Sequence, residues 1–195
     1  MRLAKPTWLS VCAPVAAGIA LAAVGPWALA AGDPAAKAEA IAAFQKLNAV
    51  PSYRIKWTSP EGTGVAEISQ PDRRHFSGKS AQGSVEIFQT GTDTRIHYDF
   101  PGAPSGWRCT KSREVSAYFD IDRMRKDTTT EVVRKSDTVI DGTPVHTYAD
   151  AKTGDELYVG AETGLPRRVV DQEKAAMADF YDYGVPITIT LPPCG

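Results

Sequence analysis

The chain has 195 residues, 43% of them hydrophobic, and its 22 Lys and Arg nearly balance its 23 Asp and Glu. That length suits one domain with a substantial core. The balanced charge, with no basic cluster, removes any electrostatic case for binding nucleic acid, so no nucleic-acid partner is expected.

The first 30 residues have the three parts of a secretory signal. Arg2 and Lys5 give a positive start, an almost uncharged apolar stretch follows, and Ala28-Leu29-Ala30 supplies the small residues of a cleavage site. We therefore predict cleavage near Ala30, a periplasmic location, and one mature domain over 31–195. The alternative is an uncleaved membrane anchor, because the apolar stretch is long enough to span a bilayer.

The mature chain is predicted to begin with a helix. Asp33 and Pro34 are typical of a helix start, as cap and first-turn proline. The alanine-rich run up to Leu47 has one apolar face that includes Phe44, and Pro51 follows its end. Such a helix needs another element to pack against.

From residue 51 the hydrophobic pattern changes from a helical period to a period of two. Tyr53, Ile55 and Trp57 alternate with charged residues, which is typical of a half-buried strand. Turn residues then recur at short intervals and indicate an antiparallel meander. Its further strands are predicted at 65–69, 73–77, 84–89 and 94–100.

The second half repeats this order of helix and strands. Apolar residues recur every three positions and predict a second helix over 112–126. Strands are then predicted at 131–134, 145–148, 156–159, 166–171, 176–181 and 186–190. No long linker or repeat interrupts the chain, so the fold class is α+β in one domain.

Two cysteines follow the predicted cleavage site, Cys109 and Cys194. An even count in an exported chain favours a disulfide between them. A pair of free thiols is the alternative. A redox-active pair is disfavoured because the sequence has no Cys-x-x-Cys motif.

Nothing in the sequence indicates catalysis. The three histidines, His75, His97 and His146, are scattered over predicted strands without metal-ligand spacing. Neither a Gly-x-Ser-x-Gly elbow nor a phosphate loop is found. We expect no enzyme activity, no metal and no cofactor.

Several short motifs occur in a characteristic order. Residues 71–73 read Pro-Asp-Arg, residues 141–148 contain Gly-x-x-x-x-x-Tyr, and residues 163–167 read Thr-Gly-Leu-Pro-Arg. The end of the chain, over 181–192, has an aromatic-Asp-Tyr followed by alternating apolar residues and a final proline. In this order and spacing the chain resembles the LolA-like family of envelope proteins, which includes periplasmic lipoprotein carriers, glycolipid-binding lipoproteins and a stress-sensor domain.

The resemblance implies a strongly curved antiparallel sheet, an incomplete barrel, wrapped around two helices, with a hollow between them that takes acyl chains. Each methylene that leaves water for such a hollow contributes about 0.8 kcal/mol. Eight apolar side chains are candidates to line it, and for each of them simple core packing is the alternative. They are Phe44, Tyr53, Ile55, Trp57, Ile96, Tyr98, Tyr118 and Met124.

Two functions are consistent with this resemblance. The first is a carrier for a lipid or an acylated lipoprotein, and the second is a protein-binding or sensory envelope domain on the same scaffold. Charged residues on the predicted strands bear on the choice, because any that faced inward would favour a smaller or more polar ligand, or a protein. They include Arg73, Arg74, Arg95, Arg167 and Arg168.

Overall fold

A computed structural model describes residues 32–103, 106–111 and 131–194, which form one helix and twelve strands. In chain order the elements are α1 (Pro34–Asn48), β1 (Ser52–Ser59), β2 (Gly62–Ser69), β3 (Arg73–Ser80), β4 (Gly83–Thr90), β5 (Asp93–Asp99), β6 (Arg108–Lys111), β7 (Val132–Arg134), β8 (Thr138–Ile140), β9 (Thr143–Asp150), β10 (Glu156–Gly160), β11 (Pro166–Asp171) and β12 (Ala176–Tyr181). Within these ranges, no helix combines the length and the apolar character that crossing a membrane requires.

Helix α1 starts where its capping signals predict. The Asp33 carboxylate accepts a hydrogen bond of 2.8 Å from the Ala35 amide, and Pro34 occupies the first turn. The cap satisfies an amide that would otherwise lack a partner, and the proline sits where no intrahelical donor is needed. The predicted first helix is therefore confirmed, with an end at Asn48.

The twelve strands form one curved antiparallel sheet that does not close. Its order is β6-β5-β4-β3-β2-β1-β12-β11-β10-β9-β7, with β8 also paired to β9. The last strand lies beside the first, with Ile55 opposite Phe180. Among the described residues no ladder joins the end strands β6 and β7. The incomplete barrel is confirmed, whereas the second helix predicted over 112–126 lies outside the described residues.

The core lies between helix α1 and one face of the sheet, which we call the inner face. It contains Phe44 and Leu47 from the helix, packed against Tyr53, Ile55 and Phe180 from β1 and β12. Phe180 is fully buried, and its ring meets that of Phe44 edge to face at 6.4 Å between centroids. Helix α1 contacts mainly β7, β10 and β11, so it covers only one side of the inner face.

The prediction of a strand over 186–190 is wrong, because residues 182–194 contain no strand. Strand β12 already has β1 and β11 as neighbours, and Pro186 has no amide hydrogen to donate, so this segment finds no free sheet edge beside it. It leaves the sheet with Gly184 donating to the carbonyl of Ser52. The alternation of apolar and polar residues over 186–190 therefore occurs in a segment that pairs with no strand.

A disulfide between Cys109 and Cys194 confirms the predicted pairing, with Cα atoms 5.9 Å apart. It fixes the chain end to β6, five strands away from β1. At about 4.8 Å between strands this distance is roughly 24 Å. Residues 185–194, which reach at most about 30 Å, span the distance to β6.

Two strands have no counterpart in the sequence prediction. Strand β6 consists of four exposed residues, Arg108–Lys111, and β8 of three, Thr138–Ile140. Neither shows the apolar alternation that signals a strand. They form because β5 and β9 offer them free backbone hydrogen-bonding groups, which is a tertiary effect.

Candidate functional site

The register of β1–β5 arranges the inner face into rows that run across the strands. Side chains opposite each other in an antiparallel pair lie on the same face, so each row can be followed from strand to strand. The first row consists of Ile55, Ala66, Phe76, Ile87 and Ile96. Every position in it is apolar.

The second row is also apolar, and glycines make it unusual. It consists of Trp57, Gly64, Gly78, Val85 and Tyr98. Together the two rows form a continuous apolar surface from β1 to β5.

Most of this surface lies outside the core that packs on helix α1. That core extends along the sheet as far as Ala66 and Ile68 on β2. Six large side chains of the two rows do not belong to it, and all but Val85 are only partly buried. We call them the apolar strip: Trp57, Phe76, Val85, Ile87, Ile96 and Tyr98.

The two glycines give the Trp57 indole a flat seat. A β-carbon on Gly64 would lie 2.3 Å from Trp57 Nε1, and one on Gly78 would lie 3.3 Å from Trp57 Cζ2. The indole therefore lies directly over both glycines. The Phe76 ring is parallel to it, at 4° between planes and 6.0 Å between centroids. The two rings form an aromatic floor for this part of the inner face.

The indole nitrogen of Trp57 is buried and has no hydrogen-bond partner among the described residues. A buried Trp donor normally finds an acceptor, and leaving it unpaired costs about 1–3 kcal/mol. Nε1 lies over Gly64, where the indole packs flat on the sheet. The apolar contact of the ring offsets this loss.

Substituting Gly64 by valine is expected to displace the Trp57 indole. Valine is ordinarily favoured over glycine in a strand, by up to about 1 kcal/mol. Here its β-carbon would meet the indole at 2.3 Å and the Ser77 carbonyl oxygen at 2.5 Å, so the variant should be less stable than wild type. Urea unfolding and Trp emission measure the two effects. Ala66→Val, at the next inner position of β2 opposite Ile55, is the control that adds a β-branched side chain to the same face of this strand. A Gly64→Val variant more stable than wild type would contradict the direct packing of the Trp57 indole on Gly64.

The third row is polar from β3 onward and lies beside the turns at residues 70–72 and 91–92. It consists of Tyr53, Ile68, Arg74, Gln89 and Thr94. Gln89 and Thr94 are buried, and the Gln89 amide donates to the Gly91 carbonyl at 3.1 Å. The inner face thus changes from apolar to polar along the strands.

Two tyrosines lie at this polar end, the buried Tyr53 and the partly buried Tyr183. Burial raises the pKa of Tyr53, and the nearby Arg74 acts in the opposite direction. Burial also raises the pKa of Tyr183, against the effect of Arg167. The Tyr183 hydroxyl donates a hydrogen bond to the Pro166 carbonyl. Both phenols therefore stay neutral at physiological pH.

The opposite, outer face carries a network of ion pairs. Arg54 lies 2.8 Å from Glu67 and 2.7 Å from Asp182, and His75 lies 2.9 Å from Glu67 and 3.0 Å from Glu86. Burial alone would raise the pKa of Glu67, but hydrogen bonds from His75 and Arg54 outweigh it and lower that pKa. Within the described ranges, no three His, Cys, Asp or Glu side chains are grouped to hold a metal ion.

Aromatic rings adjoin this network on the outer face. His75 stacks on Phe88 at 4.1 Å between centroids, and the Trp107 ring lies 5.5 Å from Phe88 and 5.3 Å from His97. These rings are partly buried. We call Phe88, His97 and Trp107 the outer aromatic patch.

A shallow groove of about 580 Å³ crosses the sheet elsewhere. Seven residues line it: Arg134, Lys135, Ser136, Thr138, Thr147, Glu156 and Tyr158. An ion pair of 2.7 Å between Lys135 and Glu156 occupies part of it, and hydrogen bonds from Lys135 and Tyr158 lower the pKa of Glu156. This lining offers little to an apolar ligand.

The candidate lining residues fall into separate places. Phe44, Tyr53 and Ile55 are at most 7% exposed and lie in the core between helix and sheet. They pack against each other, as the alternative of core packing requires. Their contact with a ligand stays a prediction.

The other candidates lie farther along the sheet. Trp57, Ile96 and Tyr98 belong to the apolar strip, where the register brings them to the same face. Tyr118 and Met124 lie outside the described residues, and their role also stays a prediction.

Sequence reasoning missed three members of the apolar strip, Phe76, Val85 and Ile87. A usable signal was present. Two-residue turns join β1 to β2 and β3 to β4, so that Ser59 pairs with Gly62 and Ser80 with Gly83. Turns of this length determine register, and following them from Trp57 leads to Val85.

Within the described residues, the fold is an open antiparallel half-barrel, and helix α1 covers only part of its apolar inner face. The solved structures that share it include the following two. LprF from Mycobacterium bovis has a TM-score of 0.57 at 13% identity, covering 85% of this chain and all of that one. The Mycobacterium tuberculosis lipoprotein LppX has a TM-score of 0.58 at 12% identity, covering 81% of this chain and all of that one.

These two likenesses are a matter of fold, since the identities are low. No protein-family model matches the sequence, and no curated protein matches it either. The resemblance to the LolA-like family is confirmed at the level of the fold.

Proposed function

We propose that this protein is an exported envelope protein that binds a lipid or the acyl chains of a lipoprotein along the apolar strip. The observation that carries the proposal is the extension of the apolar inner face beyond the helix. In a sheet that packs one face on its core, apolar rows normally end where the covering element ends. Here two rows continue to β5.

The physical gain of such binding is large and needs few directional contacts. An acyl chain that leaves water contributes about 0.8 kcal/mol per methylene. The flat rings of Trp57 and Phe76 offer a broad apolar contact surface. Because Gly64 and Gly78 have no side chains, the indole lies close against the sheet and leaves room above it. Apolar sites with few polar groups are typical of pockets for small hydrophobic ligands.

Export is part of the same proposal. The signal-like residues 1–30 support it, with cleavage near Ala30 and a periplasmic location. The Cys109–Cys194 disulfide is consistent with it, because disulfides persist in oxidising compartments. We propose no catalytic role.

A fluorescent fatty acid is expected to bind the chain that begins at Ala31, at micromolar concentration. That chain has two tryptophans, Trp57 and Trp107, on opposite faces of the sheet. Trp57→Ala should weaken probe binding by more than it lowers the free energy of unfolding, because the indole is only partly buried. Binding is measured by probe fluorescence and stability by urea titration.

Trp107→Phe is the matched control, since it removes the outer tryptophan and leaves Trp57 as the sole reporter. Emission from this variant should shift when the probe binds. A probe that stays free at high protein concentration would contradict the proposal.

A second candidate function is recognition of an envelope protein through the outer aromatic patch. The rings of Phe88 and Trp107, which meet edge to face next to the ion pairs of His75, are the observation that favours it. Aromatic residues beside charges are common at protein interfaces. If Trp107→Phe or Phe88→Ala abolished partner capture while the fatty acid failed to bind, this second function would replace the first.

A further inference from the structure

The charges on strands β1–β6 and β12 are distributed unequally between the two faces. All five acidic residues of these strands lie on the outer face by register: Glu67, Glu86, Asp93, Asp99 and Asp179. The inner face of the same strands has two cations, Arg74 and Arg108. This side of the sheet is therefore positive as well as apolar.

Arg74 is the cation placed to act on a ligand. It lies in the third row, directly opposite Gln89 and Ile68, and is partly buried. Arg108 lies on the edge strand β6 and is exposed. Of the five arginines in doubt from the sequence, Arg73, Arg95 and Arg168 face outward by register, and the Arg167 guanidinium donates to the Phe180 carbonyl at 3.2 Å.

The Arg74 guanidinium forms no hydrogen bond or ion pair with any other described residue. Glu39, the one acidic residue of helix α1, is held by Tyr148 at 2.7 Å and Arg134 at 3.2 Å. Placing an unpaired cation beside an apolar surface costs free energy, because part of its hydration is lost. An anion that reached the third row would offset this cost.

We infer that the ligand is an anionic amphiphile, with its chain along the apolar strip and its negatively charged head on Arg74. This inference rests on the proposed function and names the chemical class of its ligand. The chemistry of the head is an oxyanion, since a guanidinium donates two parallel hydrogen bonds to a carboxylate or a phosphate. The order of the rows, apolar and then polar, matches the order of chain and head.

Matched twelve-carbon probes test the inference. Dodecanoate, dodecyl phosphate and dodecanol share one chain and differ in the head. The two anions are titrated below their micellar concentrations and the alcohol below its solubility limit, by isothermal calorimetry. Wild type is expected to bind both anions at least about tenfold more tightly than the alcohol. Arg74→Gln should remove this preference and leave the affinity for dodecanol unchanged.

Two further variants separate charge from folding. Arg74→Lys keeps the positive charge and should therefore retain part of the preference for the two anions over dodecanol. The preference should be weaker than in wild type, because an ammonium group cannot donate the two parallel hydrogen bonds that a guanidinium donates to an oxyanion. Arg73→Gln removes the neighbouring cation, which is exposed and faces outward, and should change nothing. Thermal unfolding of each variant confirms that it is folded.

The outcomes are distinct. Tighter binding of dodecyl phosphate than of dodecanoate identifies a phosphate head, and the reverse order identifies a carboxylate. Equal binding of all three probes by wild type, or an unchanged preference in Arg74→Gln, overturns the inference and leaves the proposed function standing. Failure of dodecanol and both anions to bind contradicts the proposed function itself.

Discussion

Removing the Cys109–Cys194 disulfide is expected to lower the free energy of unfolding by up to about 4–5 kcal/mol, which is the largest effect of any change considered. The bond closes a loop with a sequence separation of 85 residues, and in the chain-entropy model a long loop restricts the unfolded chain strongly. It also holds residues 185–194, which have no strand partner, against the opposite edge of the sheet. The measurement is urea unfolding of the variant Cys109→Ser with Cys194→Ser, against oxidised wild type.

Two controls isolate the bond from the substitutions. Wild type in reductant should unfold like the double variant, and reductant should leave the double variant unchanged. The oxidised chain from Ala31 should show no free thiol after denaturation. Equal stability of the oxidised and reduced forms would mean that the tail is held by its other contacts, such as the Ser52 hydroxyl on the Val185 carbonyl at 2.6 Å.

Truncating Phe180 to alanine is expected to lower the free energy of unfolding by about 3–5 kcal/mol. Its side chain is fully buried at the meeting of the first and last strands, and it contacts the Phe44 ring of the helix. The loss combines the transfer of the ring to water with the cavity left behind, because the strands on both sides restrict relaxation. Phe180→Leu should cost less, about 1.5 kcal/mol or under.

The adjacent residue provides the matched control for this prediction. Tyr181 follows Phe180 on β12 but faces outward, opposite Arg54, and is only partly buried. Tyr181→Ala should therefore cost clearly less than Phe180→Ala. Similar losses for the two truncations would show that the core is not centred at the junction of β1 and β12.

Local sequence signals predicted much of the secondary structure because their physical causes are local. The Asp33 cap with Pro34 defined the start of α1, and β11 and β12 have the bounds that their alternation indicated. Side-chain alternation in a strand needs no knowledge of its neighbours. The disulfide was equally accessible, since two cysteines remain after the predicted cleavage site.

The tail over 186–190 shows where alternation misleads. Its residues have the pattern of a strand, and Ile189 is indeed buried, yet no ladder forms. A strand requires a free edge, and whether one exists depends on how distant segments pair. The short β6 and β8 show the reverse case, in which a neighbour makes a strand from residues without the pattern.

The sequence by itself determined an α+β chain with a capped first helix, a long run of antiparallel strands and a single crosslink, because capping, period and cysteine count are properties of neighbouring residues. Only the tertiary structure decided which strand face turns toward the helix, that Trp57 lies on Gly64 and Gly78, and that Arg74 faces inward while Arg73 does not. The physical reason is that a period of two assigns residues to alternate faces without naming the faces. The side of the sheet on which helix α1 packs determines which face is the inner one. It thereby determines the surface on which the proposed ligand lies.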